Sequence, residues 1–264
     1  MKLLNGNELA GFIKERQAKQ ARFLRQSLKI TPKLAIVQEK DDPVINTYVK
    51  LKQSYGEDIG VEVEIYKTTP ETTLSIVKQL NGNKAVHGII VQLPLVHEDQ
   101  TEKILNCVIK SKDVDGLAKN SQFDPATPTA ILWLLAGYNI DLAGKEIAIV
   151  GKGRLVGAPL IKMLQDSELK VLAHGRDTEN LKEALQDADV VISATGTPNL
   201  IKPDMLKQKA IVIDAGTTSE KGKTVGDLSS EVYKKDDLTI TPQKGGVGPL
   251  TVCALFENVL KATS

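Results

Sequence analysis

The stretch KEIAIVGKGRLVGAP, Lys145–Pro159, decides how this chain folds. Its apolar run Ile147–Val150 reads as a buried strand, Gly151, Gly153 and Gly157 follow, and GAPLIKMLQDSELK then has helical periodicity. The glycine spacing, G-x-G-x-x-x-G, is one residue longer than the usual dinucleotide fingerprint, so the pattern gains its weight from context. Glycines at a strand-to-helix turn let backbone come close to a pyrophosphate, and the first helical amides present the positive end of the helix dipole. The plainer alternative is a tight turn that binds nothing. Cofactor choice is read at the end of the next strand, where an acidic residue takes the ribose hydroxyls of NAD. Here the sequence is VLAHGRDT: His174 and Arg176 stand in place of that carboxylate, while Lys152 and Arg154 add positive charge in the glycine loop. This suits a 2′-phosphate, so NADP is favoured over NAD. Asp177, one residue beyond Arg176, keeps NAD open, and His174 taken alone reads as a strand-end packing residue rather than a ligand.

Outward from this turn, KLAIVQ, VEVEIY, VHGIIVQLPL, KVLAH, DVVISATG and AIVIDAG read as further strands, separated by helical segments such as ETTLSIVKQLN and TENLKEALQDAD. β-branched, nearly all-apolar strands alternating with helices describe parallel sheets covered on both faces. The fold class is therefore α/β, with two α/β domains and a cleft between them, the second a Rossmann-like doubly wound parallel sheet. The seam is expected where Asp, Pro, Ser and Asn interrupt the periodicity, between KDVDGLAKNSQFDPATP and TPTAILWLLAGYN. On this reading residues 1–120, with the last helix at 249–264, form a substrate domain, and 121–248 a cofactor domain. The cleft is the expected ligand site.

At 264 residues the chain can bury two cores. Its 34 Lys plus Arg against 33 Asp plus Glu leave a net charge of +1, so no global field recommends nucleic acid or an anionic membrane. No run of about 18 apolar residues offers a membrane span. Cys107 and Cys253 lie far apart outside any CxxC or Cys/His cluster, which argues against a disulfide framework and a zinc site and fits the reducing cytoplasm. The basic, amphipathic start carries Glu8 and Glu15 and runs into a strand, so it reads as the first helix of the fold.

Polar residues at strand ends of the first half mark the chemistry. Tyr48 and Lys52 are four apart after the first strand, so on a helix they share a face, either a solvated one or half of a catalytic site. Gln92 interrupts an apolar strand and must find partners, as a core amide or a functional one. Asp115 before Gly116 is open to plain turn chemistry.

The ordered set TYVKLK, VQLPL, KDVDG, TPT, IVGKGRLVGAP, VIDAG, VGD and GGVGPLTVCAL resembles the bifunctional methylenetetrahydrofolate dehydrogenase/cyclohydrolase family over nearly the whole chain. The resemblance implies NADP-dependent oxidation of 5,10-methylenetetrahydrofolate and hydrolysis of the methenyl cation to 10-formyltetrahydrofolate. It implies Lys52 as general acid/base, Gln92 as its tuning partner, Tyr48 as substrate orienter and Asp115 as anchor of the pterin's amino-pyrimidine edge. Val91 and Leu93 would flank the substrate, and Gly245, Gly246, Val247 and Gly248 would close over it, with Pro249 as the first residue of the last helix. Gly151, Lys152, Gly153, Arg154, Gly157, His174, Arg176 and Thr217 would bind the cofactor, no metal is implied, and a homodimer is implied through the cofactor domain.

The chain departs from the family's usual pattern at several positions. Val44 and Ile45 follow Pro43 where Ala-Ser is usual, Ala118 and Lys119 stand where His-Pro is usual in a longer loop, Ala130 replaces glycine, Gly153 serine, and Lys244 proline. Two other classes share part of the pattern: a two-domain NADP dehydrogenase of another small acid, which has no reason to carry VQLPL with GGVGPLT, and a non-catalytic paralogue that binds folate or NADP without turnover.

Overall fold

In a computed structural model, which describes residues 1–220 and 223–263, the chain runs β1 (Lys2–Leu3), α1 (Gly6–Ser27), β2 (Lys33–Gln38), α2 (Pro43–Ile59), β3 (Glu62–Lys67), α3 (Pro70–Gly82), β4 (Gly88–Gln92), α4 (Thr101–Leu105), α5 (Ala126–Gly137), β5 (Ile147–Val150), α6 (Gly157–Asp166), β6 (Val171–His174), α7 (Leu181–Leu185), β7 (Val190–Ser193), β8 (Ile211–Asp214), β9 (Thr218–Glu220), β10 (Lys223–Val225), β11 (Thr239–Ile240) and α8 (Val247–Lys261). It divides into two α/β units. One comprises Gly11–Ala126 and the C-terminal residues from Val252; the other comprises Met1–Ala10 and Thr127–Thr251.

The first unit holds a parallel three-stranded sheet in the order β3-β2-β4. β2 is central and buried from Leu34 onward, which is why KLAIVQ is an unbroken apolar run. Edge strand β3 instead alternates, and its outward Glu62 and Glu64 each meet Lys33 at 3.0 Å. α2 begins where Asp42 accepts from the amides of Val44 and Ile45 with Pro43 in the first turn, so its start is set by local chemistry. Thr69 and Thr72 form a reciprocal capping box for α3. Gly56 brings α2 against its neighbours: a Cβ there would lie 2.5 Å from Val63 Cγ2 and 3.2 Å from Phe256 Cε1. Gly56→Ala should therefore lower stability by about 1–3 kcal/mol, the overpacking cost exceeding the helix-propensity gain of about 0.5–1 kcal/mol. Gly11→Ala, where a Cβ meets nothing within 4 Å, should show that gain alone; urea unfolding of the two variants checks this.

The second unit holds a parallel six-stranded sheet in the order β1-β11-β8-β7-β5-β6. Its central strands β5 and β7 are buried throughout. Because β6 flanks β5 on one side and β7 on the other, the chain reverses direction across the sheet at β5, a switch point that opens a crevice at its carboxyl end. β9 and β10 pair as a separate antiparallel hairpin.

The boundaries differ from those expected. Residues 1–10 join the six-stranded unit because Lys2 and Leu3 pair with Thr239 and Ile240, a contact invisible to local periodicity. The division expected after residue 120 falls between Ala126 and Thr127, just before TPT and at the start of α5, and the C-terminal share starts at Val252 rather than at 249. α8 begins at Val247, so Pro249 is its third residue, still in the first turn where an amide hydrogen has no helical acceptor.

Candidate active site

In the three-stranded unit, α2, β4 and the KDVDG segment bring Lys52, Gln92 and Asp115 together. The register Gln38↔Gln92 places Gln92 at the carboxyl end of β4. Its Nε2 donates to the Leu93 carbonyl at 3.1 Å, leaving Oε1 to accept from Lys52 Nζ at 2.9 Å. The strand glutamine is thus a satisfied amide whose second end is committed to a lysine. Asp113 pairs with Ile89 in an isolated bridge, reinforced by Ile89 N–H to Lys112 O at 2.7 Å, and this lays the KDVDG segment along β4 and delivers Asp115.

Burial pulls the Lys52 pKa below the usual lysine value, and the Asp115 carboxylate opposes that shift. Burial likewise pushes the Asp115 carboxyl up, with the Lys52 charge offsetting it. A lysine with a lowered pKa, held on an amide oxygen beside a carboxylate, can take and return a proton.

Tyr48 is exposed, one turn before Lys52 on α2. Val44, one further turn back, is exposed as well, so its bulk continues that stripe, whereas Ile45 turns into the core at 6 % exposure. Val91 is buried among Val37, Leu95 and Ile104; its side chain belongs to the core and only its backbone can face outward. Leu93 is half-buried. Two supporting residues were missed from sequence. Asp113, buried, accepts from the Ala118 amide at 2.9 Å, so the replaced His-Pro positions still fold back onto KDVDG. Asn258 of α8 donates to the carbonyls of Val114 and Asp124 at 2.9 and 3.0 Å. The repeated aspartate of KDVDG hinted at the first; nothing local marked the second.

In the six-stranded unit the switch-point turn is built for close backbone approach. Gly151 has φ 104°, and a Cβ on it would lie 2.5 Å from the Ala194 carbonyl oxygen. A Cβ on Gly157 would overlap the Gly151 carbonyl. Gly153 has open space around it, so exchange for the usual serine carries no steric consequence. Around the turn stand Lys152, Arg154 and Arg176, all exposed, and His174, whose Nε2 is buried with no hydrogen-bond partner among the described residues. Burial, then Lys152, lowers the His174 pKa. A turn bare of side chains at Gly151, Gly153 and Gly157, at a helix N-terminus and flanked by cations and a buried nitrogen without a partner among the described residues, fits a dinucleotide phosphate. Thr217 is exposed on the turn after β8. Gly245 and Gly246 pack against Asn7 and Gly6, Val247 is buried and Gly248 is open. Among the described residues no group of three His, Cys, Asp or Glu could hold a metal, and no helix is long and apolar enough to cross a membrane.

Residues 4–115 match the model of the tetrahydrofolate dehydrogenase/cyclohydrolase catalytic domain, and residues 125–264 that of the same family's NAD(P)-binding domain. The chain belongs to this family. The bifunctional protein FolD of Campylobacter jejuni (strain RM1221) is 39% identical over 99% of this chain and 98% of its own, and that of Lactobacillus acidophilus 34% identical over 99% and 97%. The crystal structure of FolD from Campylobacter jejuni superposes with a TM-score of 0.93 at 38% identity, covering 99% of this chain and 98% of that one. FolD of Trypanosoma brucei, solved with NADP cofactor and an inhibitor, gives 0.91 at 28% identity over 98% and 96%. Family membership accounts for both halves: the lysine–glutamine–aspartate group lies in the part matching the catalytic domain, the glycine turn in the part matching the NAD(P)-binding domain.

Proposed function

We propose that this protein oxidises 5,10-methylenetetrahydrofolate with NADP and hydrolyses the methenyl product to 10-formyltetrahydrofolate. The observation that carries the reading is the hydrogen bond from Lys52 to Gln92 beside Asp115, in a chain of this family. Bound NADP supplies a hydride acceptor. Gly151 and Gly157 would admit its pyrophosphate to the backbone, with Lys152, Arg154, His174 and Arg176 toward the ribose end.

The chain's own residues supply the rest. Asp115 pairs with the pterin's amino-pyrimidine donors and fixes the ring, a two-point contact a carboxylate is shaped for. Tyr48 lies along the ring's approach and orients it. The methenyl carbon is an amidinium-like cation, and its charge lowers the Lys52 pKa further. The neutral amine takes a proton from the attacking water and returns it to the ring nitrogen as the carbon–nitrogen bond opens, the remaining hydroxyl proton leaving to solvent as the formyl C=O forms, while Gln92 Oε1 holds the ammonium form between the steps. Family analogy also supports a homodimer and a cytoplasmic location.

The reaction is tested by giving purified protein methylenetetrahydrofolate and following reduced cofactor and methenyl product separately, with NADP and then NAD, against a control for spontaneous hydrolysis. Reduced cofactor forming without methenyl build-up is expected; ligand binding without either signal would make the protein a non-catalytic paralogue. For the cofactor, Arg176→Ala should lower the kcat/KM ratio for NADP over NAD by about tenfold, a charge-assisted phosphate contact being worth about 1.5–3 kcal/mol. An unchanged ratio would remove Arg176 from the 2′-phosphate.

A further inference from the structure

The loops after β5 and β6 are tied together by an ion pair. Lys152 Nζ lies 3.1 Å from Asp177 Oδ1 and 3.0 Å from Oδ2, so one ammonium serves both carboxylate oxygens. The strands beneath are paired at Val150↔His174, which sets the two loops side by side at the switch point. The pair arches over Gly175: a Cβ there would lie 2.7 Å from Asp177 Oδ1 and 3.3 Å from Lys152 Cε. This is the end of the second strand of the nucleotide-binding half, where such folds read the ribose 2′ position.

We propose that Asp177 is a specificity-determining residue of the cofactor site, holding Lys152 back from a 2′-phosphate and so limiting the preference for NADP over NAD. The inference rests on the proposed seat of the cofactor at the Gly151 turn. Lys152, Arg154 and Arg176 put three positive charges on the loops after β5 and β6, and Asp177 is the one acidic side chain among residues 174–178. Seating a dianionic 2′-phosphate requires Lys152 to exchange its carboxylate for the phosphate and sets Asp177 against the incoming charge. A 2′-hydroxyl requires neither, and can donate to Asp177. Both side chains are substantially exposed, at 44% and 73%, so the exchange is easily reversible and opposes NADP by only a modest factor.

The test is the dissociation constants of NADP and NAD, measured by calorimetry on the full chain at low and high salt, for wild type, Asp177→Ala and Gly175→Ala. Asp177→Ala should tighten NADP by about threefold to tenfold and leave NAD equal or weaker, with the NADP gain shrinking at high salt. Gly175→Ala, which displaces the pair without removing a charge, should shift the ratio in the same direction by a smaller factor. A ratio of the two constants that Asp177→Ala leaves within about twofold of wild type would overturn the inference. Arg176→Ala separates the failures: if it weakens NADP while Asp177→Ala changes nothing, only this inference falls, and if it leaves NADP affinity intact the seat of the 2′-phosphate itself is wrong.

Discussion

Lys52→Met should all but stop hydrolysis of methenyltetrahydrofolate while oxidation of the methylene substrate continues. Methionine keeps an unbranched apolar stem of similar length, so α2 retains its packing and only the amine is lost. General acid–base catalysis by a positioned side chain contributes about a hundredfold to ten-thousandfold, and hydrolysis should fall by that factor. Hydride transfer needs no proton moved at this position, so its rate should change far less. The same lysine sets a pH dependence. Because burial lowers the Lys52 pKa, a neutral amine persists to lower pH, and with Lys52 as the base the acid limb of hydrolysis should lie below the ordinary lysine value of 10.5. Asp115 raises that pKa, so Asp115→Asn should move the limb further to acid. A limb at or above 10.5, read from kcat against pH, would mean Lys52 is not the titrating base.

Gly157→Val should do the converse, losing NADP binding and oxidation while hydrolysis of supplied methenyl substrate survives. A Cβ at this position overlaps the Gly151 carbonyl, so the first turn of α6 must shift away from β5. Moving that turn takes away the backbone amides that would meet the pyrophosphate, and the loss of about 3 kcal/mol of charge-assisted contact weakens the cofactor by about a hundredfold. Lys52, Gln92 and Asp115 all belong to the other unit, so their hydrogen bond and charges do not depend on this turn. Calorimetric titration with NADP, beside a hydrolysis assay without cofactor, separates the effects; equal loss of both would mean that the substitution unfolds the chain.

Sequence reveals most where structure is local. The apolar runs that became β2, β5 and β7 are buried on both faces, so composition alone marked them. The turn at Gly151 was legible because its φ of 104° demands glycine between a strand and a helix. The Lys52–Gln92 hydrogen bond joins residues 40 apart in sequence, and a polar residue inside an apolar strand betrayed one end of it. What stayed hidden depends on distant partners. β1 exists only through β11, and two residues are too few to show a period. Asn258 reaches Val114 across 144 positions, and an asparagine on a helix carries no local signature of that task. The departures divide along the same line: Ile45 and Ala130 fill core space, at 6 % and 0 % exposure, while Val44, Gly153 and Lys244 lie at the surface, where they can alter ligand contacts without disturbing the fold.

Whether the Lys52 amine carries the hydrolysis that follows oxidation is read from one trace. It is the methenyl product that accumulates per reduced cofactor formed, in wild type and Lys52→Met under identical conditions. With Lys52 in that role, almost none is expected in wild type and close to one methenyl for each cofactor reduced in Lys52→Met. Equal ratios in the two proteins would contradict it.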